Sequence, residues 1–339
     1  MKPFILILIV LSVLFSCNNN ENLKKIDTAK MSIKELSQIL KTDTSNAQLF
    51  QARAEKFYNL NQIDSALLDY QRAVSLEDNH IEWLSKLSDI YLFKGQSEKA
   101  RQTLDEALKL EPDNTDILLK MGMLYFLIED YVKSFEYIND ALSVNPNLEK
   151  AYFYKSMNYV EVGDTTRALE ELQKAIEKNP DYTDAYIQLG FLYDAIDDTI
   201  ARVYYQNAIE IDSSNAFAHY DLALHYQHQQ EFNKAIRQYL YLTDNLDSTF
   251  STAFYNIGYI YLVYSNDLDT AINYFDKAIN VDYNYTDAYA NKAYALELQK
   301  KYKEAFVEYQ TALKITPDHT ASKKGLERIS KFVTRKHLE

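Results

Sequence analysis

Three histidines, His219, His225 and His228, lie close together beside Asp221, and they are the best candidates for metal ligation or proton transfer in this 339-residue sequence. His225 and His228 are three apart, so on a helix both could face one ion. The surrounding Gln227, Gln229 and Gln230 suggest instead that Asp221 and His225 sit at the solvated end of a helix, and no metal is expected. The adjacent carboxylates Asp197 and Asp198 read most simply as a turn that caps the following helix. No Gly-x-Gly-x-x-Gly, phosphate loop, His-Glu-x-x-His or Gly-x-Ser-x-Gly motif occurs. The expectation is a protein without catalysis, without a cofactor and without a small-molecule substrate.

Cys17 is the only cysteine, so neither an internal disulfide nor a cysteine-based metal site can form within the chain. Before it, Lys2 supplies one positive charge, and Phe4 to Phe15 form an apolar run broken only by Ser12. Asn18, Asn19 and Asn20 follow directly. That run is shorter than the ~20 residues of a membrane span and fits the core of a signal peptide. Leu14, Phe15, Ser16 and Cys17 together resemble the lipobox of bacterial lipoproteins, with Phe15 as a departure from the usual middle residue. The resemblance implies removal of residues 1–16 and acylation of Cys17. The mature chain would then be lipid-anchored in a bacterial envelope, at the outer membrane rather than the inner. Residues 17–30 are polar and aperiodic and read as a tether.

The elements beyond the tether are legible from composition and period. With 47% hydrophobic and 25% charged residues the chain has enough apolar surface to fold, and six Gly with five Pro are too few turn-makers for a β-rich architecture. A net charge of −13 opposes contact with phosphate backbones, so nucleic acid is not an expected partner. Small residues recur at Ala66, Ala100, Ser134, Ala168, Ala201, Ala235, Ala271 and Ala305, with gaps of 34, 34, 34, 33, 34, 36 and 34. A second ladder runs Ala73, Ala107, Ala141, Ala175, Ala208, Leu242, Ala278 and Ala312. Pro112, Pro146, Pro180 and Pro317 keep one phase, and Gly122, Gly190 and Gly258 another. Ala168, Leu172, Ala175 and Ile176 fall on one helical face, and Gly95 and Gly163 fall between the two helices of each unit.

The pattern resembles the tetratricopeptide repeat, a 34-residue helix-turn-helix. Matching residues are Tyr186, Leu189, Gly190, Tyr193, Ala201 and Tyr205 in one unit, and Phe254, Ile257, Gly258, Tyr261, Ala271 and Phe275 in another. The resemblance implies an all-α, right-handed superhelical solenoid. It would comprise a half-repeat helix in residues 31–46, about eight units in 47–319 and a capping helix in 320–339. Ile329, Phe332 and Val333 would cover the last unit, with Lys323, Lys324, Arg328, Lys331, Arg335 and Lys336 complementing the helix dipole. Arg53 and Lys155 stand where Leu is usual, and one-residue length changes near Asp197, Thr249 and Asp267 put local packing in question.

The first helices also carry a second apolar stripe: Leu119, Met123 and Phe126; Phe153, Met157 and Val160; Ile187 and Phe191; Tyr220 and Leu224; Tyr255 and Tyr259; and Tyr294. In tetratricopeptide proteins this face lines the concave groove. The first two units carry Gln51, Glu55, Ser85 and Asp89 at the equivalent positions, giving a groove with an acidic end. The expected ligand is a protein or peptide segment with apolar anchors, bound by an adaptor or by a permanent subunit of an envelope machine.

Overall fold

A computed structural model of the protein describes residues 28–196 and 199–333. The apolar run Phe4 to Phe15, Cys17, and the Asp197 and Asp198 pair expected to cap a helix lie outside the described residues. Eighteen α-helices and no strand occur among the described residues, and the chain divides into two compact units, Met1–Pro112 and Asp113–Glu339.

The first unit holds α1 (Ile33–Ile39), α2 (Ala47–Asn59), α3 (Ile63–Leu76), α4 (Ile81–Phe93) and α5 (Ser97–Leu110). The second holds α6 (Thr115–Leu127), α7 (Tyr131–Val144), α8 (Glu149–Glu161), α9 (Thr165–Lys178), α10 (Thr183–Ala195), α11 (Ala201–Ile211), α12 (Ala216–His228) and α13 (Phe232–Tyr241). It continues with α14 (Ser251–Ile260), α15 (Leu268–Val281), α16 (Thr286–Leu298), α17 (Tyr302–Ile315) and α18 (Thr320–Ile329). Consecutive helices pack as hairpins, α2 on α3 through α16 on α17, so the repeat period reflects one hairpin per unit. Thr28–Lys30, expected as the end of the tether, instead form a 3-10 turn whose Ala29 carbonyl accepts from the Lys56 ammonium at 2.8 Å.

Both alanine ladders mark the contacts that allow close helix approach. Ala66, Ala73, Ala100, Ala107, Ala168 and Ala175 are fully buried. Glycine serves the same end where the opposing side chain is an aromatic ring: a Cβ on Gly190 would sit 2.5 Å from Tyr205, and one on Gly258 would sit 2.9 Å from Phe275. The residues before the phased prolines, Glu111, Asn145, Asn179 and Thr316, have left helical geometry. At the other end of the unit, Ile329 is buried against Ala305 and Tyr309, and Phe332 stacks on Tyr302 at 4.3 Å.

Among the described residues, seven of the hairpin turns hold one left-handed residue each. Asn61, Gly95, Glu129, Gly163, Gln230, Asn266 and Lys300 all have φ between +51° and +78°. Glycine takes that conformation without strain, whereas a Cβ costs ~1–2 kcal/mol there. Exchange of Glu129 for glycine should therefore raise stability by about 0.5–1 kcal/mol after the extra unfolded-state entropy is deducted. Urea midpoints test this, and an unchanged or lower midpoint for Glu129→Gly would show that the strain is already relieved.

The 36-residue gap between Ala235 and Ala271 has a local cause. Two π-helical turns, Leu242–Leu246 after α13 and Tyr261–Ser265 after α14, each admit one extra residue without breaking the stack. The substitutions at Arg53 and Lys155 do not loosen packing either. Arg53 Nε and Nη2 donate to the two oxygens of Asp69 at 2.6 and 2.8 Å, and Nη1 donates to Ser37 at 3.0 Å. Lys155 reaches Glu171 at 3.5 Å, and Lys292 reaches Glu308 at 2.8 Å. Each pair is 16 residues apart and joins the two helices of one hairpin. An ion pair thus takes the place of an apolar contact at the same point in three units.

Candidate interaction surface

Met123, Phe126 and Met157 are brought together by α6 and α8 around an apolar cavity of about 100 Å3. Gly122 and Ser134 contribute little bulk, which leaves the space, while Leu127, Ile138 and Tyr154 complete the walls. The Ser134 hydroxyl donates to the Gly122 carbonyl at 2.8 Å, so its polar atom is satisfied. Met123 is 37% exposed at the rim. The volume compares with the ~150 Å3 apolar cavity that accepts a benzene ring, and suits one aliphatic or small aromatic side chain. Tyr154, Leu127 and Ile138 lie off the stripe read from the sequence, and only the packing of three helices reveals them.

Other stripe residues divide by position. Leu119 is 5% exposed and belongs to the interior, so it offers a partner almost no surface. Phe153 and Val160 pack against the Ala168, Leu172 and Leu189 cluster, and Phe153 meets Tyr182 edge-on at 5.4 Å. Ile187 and Leu224 are partly buried, whereas Phe191 and Tyr294 are open to solvent. Tyr220 lies against Phe250 and Tyr239, with centroids 5.1 and 5.8 Å away. Tyr255 lies against Tyr285, Phe275 and Tyr259. Asn256 donates to the Tyr220 hydroxyl at 3.3 Å and Asn291 to the Tyr255 hydroxyl at 2.8 Å, both across 36 residues. These two tyrosines therefore join neighbouring repeats, and the exposed part of the stripe is Met123, Phe191 and Tyr294.

The histidine cluster does not sit on a solvated helix end. His225 is 3% exposed and its Nδ1 lies 2.6 Å from Asp194 on α10, whereas His228 is exposed. His219 is also buried; its Nε2 is 3.2 Å from the Ser213 carbonyl. The glutamines flanking His225 concealed a partner 31 residues away. Among the described residues no group of three His, Cys, Asp or Glu side chains is placed to hold a metal ion.

Beside this pair, burial first and the Asp194 charge second push the Asp221 carboxyl up to about 6 from 3.8. An acid whose folded pKa is raised keeps its proton in the native chain at pH values where the unfolded chain has released it. Stability should then fall as pH rises from about 4 to about 6. Asp221→Asn should remove that fall and add about 1–2 kcal/mol at pH 7, with no gain below about pH 4. Melts across this range test it, and an equal shift at every pH would exclude titration as the cause.

At the end of the second unit, α16, α17 and α18 line an open concavity of about 600 Å3 with Asn291, Tyr294, Lys324 and Arg328 in its wall. Lys324 and Arg328, read from the sequence as partners of the helix dipole, line this concavity, whereas Lys323 pairs with Asp318 away from it.

Residues 57–124 and 260–320 match profiles described as tetratricopeptide repeat, and residues 158–195 one described as TPR repeat. No curated protein sequence matches the chain. Among solved structures, a monomeric mutant of IFIT1 with Gppp-AAAA is similar at 16% identity and a TM-score of 0.62, over 89% of this chain and 76% of that one. A chain of the APC/C hetero-tetramer Cut9-Hcn1 aligns at 15% identity and a TM-score of 0.55 over 88% of this chain. The present chain covers 58% of that protein. A tetratricopeptide repeat protein from Parabacteroides merdae aligns at 17% identity and a TM-score of 0.52, over 74% of this chain and 98% of that one. At these identities the likeness is one of fold.

Proposed function

We propose that this tetratricopeptide-repeat chain is a non-catalytic adaptor, anchored to a bacterial membrane through lipid on Cys17, that binds a protein partner by an apolar side chain. The cavity lined by Met123, Phe126 and Met157 is the observation that carries the binding part, because it is open at its rim and apolar within. The exposed Phe191 and Tyr294 extend the surface available to the same partner. Repeat proteins of this kind generally serve as scaffolds, and no helix among the described residues is long and apolar enough to cross a membrane. Attachment through Cys17 supplies the membrane contact in this reading, since several acyl chains at ~0.8 kcal/mol per buried methylene hold a protein firmly.

A permanent structural subunit is the second reading, favoured by Leu127, Val162 and Ile196, which are 62%, 52% and 56% exposed. Size-exclusion chromatography separates the two, since an adaptor runs as a single soluble species alone. Pulldown of the lipidated protein from its membrane identifies the partner. Intact mass should place the mature N-terminus at Cys17 with lipid attached. The Cys17→Ser protein should leave the detergent phase; full partitioning of that variant after signal cleavage would sink the anchor.

A further inference from the structure

The first unit leaves two large apolar side chains open at one edge. Leu60, which caps the end of α2, is 61% exposed, and Phe93, the last residue of α4, is 73% exposed. Their turns are neighbours: residues 61–65 line one open depression with Phe93 and Lys94, and the Lys94 ammonium reaches Asp64 at 2.5 Å. The turn itself does not demand an apolar residue, since Gln229 and Gln299 cap α12 and α16 at the position that Leu60 holds on α2. Packing within the hairpins leaves both side chains uncovered, and exposed apolar surface of this kind marks a contact.

The same edge is where the chain arrives. The Ala29 carbonyl accepts from Lys56 in the last turn of α2, which places the start of the fold beside the α2–α3 turn. Cys17 and Thr28 are 11 residues apart, so even full extension spans no more than ~40 Å between them. Helices of 13 residues are ~20 Å long, and the loop at their other end, between α3 and α4, lies farther from this entry point by about that length.

We propose, on the reading of Cys17 as a lipid anchor, that the edge formed by these two turns lies on the bilayer surface, with Leu60 and Phe93 at the boundary between headgroups and acyl chains. Phe and Leu are side chains that interfacial segments bury at that depth. Two of them hold a bilayer only weakly in free solution. Attachment through a short tether makes the contact intramolecular, at an effective concentration of roughly millimolar, and a weak contact is then occupied. The first unit is held by its edge as well as by its tether.

Photo-crosslinking to lipid tests this on the full mature chain. Cys17 is the only thiol, so it can be coupled to maleimide-bearing vesicles of phosphatidylethanolamine and phosphatidylglycerol. The anchor is then supplied chemically, and the edge is read whether or not the cell acylates Cys17; intact mass of the native chain reads the acylation separately. A benzophenone amino acid replaces Gln62, exposed in the α2–α3 turn, or Asn79, exposed between α3 and α4. Phospholipid adducts from position 62 should exceed those from position 79 by about tenfold. Leu60→Gln combined with Phe93→Gln should abolish the excess, and circular dichroism melts should show that this variant folds, as both side chains are exposed. Equal adducts from positions 62 and 79, or an excess that survives the double variant, would overturn the membrane contact. So would a protein adduct from position 62, without lipid, in the native membrane.

Discussion

Asp69→Ala should destabilise the first unit by about 3 kcal/mol. Asp69 is 6% exposed and accepts two bonds from Arg53, whose side chain keeps only 19% of its exposure. The hydrogen bonds to Asp69 hold the Arg53 guanidinium charged, with its pKa raised above the usual arginine value. Loss of the carboxylate would leave that cation half-buried between Phe50 and Phe57, 5.8 Å from each ring centre. The Arg53→Leu and Asp69→Ala double variant should recover most of the loss, since leucine is usual at this repeat position and leaves no charge behind. Urea denaturation of the parent, both single variants and the double variant reads the cycle, and a double variant as unstable as Asp69→Ala alone would mean that the pair itself, rather than the orphaned charge, matters. Hydrogen exchange should confine the loosening to α2, α3 and their neighbours, because repeats contact mainly adjacent repeats.

Binding and stability should separate along the stripe. Met123→Gln and Met157→Gln together should weaken a partner that fills the α6–α8 cavity by about 3–4 kcal/mol, at ~2 kcal/mol for each apolar anchor. Met123 is partly open to water already, so the fold should lose much less than it would for a buried truncation. Leu172 is fully buried, and Leu172→Ala should cost about 3 kcal/mol in folding, with binding affected only as a consequence. Thermal melts beside partner titrations make the comparison. Should the methionine pair melt as low as Leu172→Ala, those side chains would be core and the cavity a packing defect.

The period was legible because close helix contact constrains residue size at fixed places, as at Ala100, Ala168 and Gly190. Exposure along the stripe was not. Leu119 and Met123 are four apart on one helix, yet one is buried and the other open, because neighbouring helices cover one and not the other. Helical spacing reports a face and says nothing of what stands opposite it. Tyr255 illustrates the same point, since its cover comes from Phe275 and Tyr285, 20 and 30 residues on. Arg53 read as a departure from the repeat because its partner is fixed by hairpin register rather than by local sequence. His225 was misread for a similar reason: its glutamine neighbours are local, and Asp194 is not. Lys324 and Arg328 read as dipole partners because α16, which shares an open concavity with them, is distant in sequence.

Site-specific photo-crosslinking tests the adaptor reading most directly. A benzophenone amino acid replaces Met123 in the lipidated protein, and the same group replaces Glu136, which is exposed on α7. Illumination in the native membrane should give one discrete covalent adduct from position 123, carrying a partner peptide with an apolar residue at the linkage, and none from position 136. An adduct from position 136 alone, or none from position 123, would contradict binding at the α6–α8 cavity.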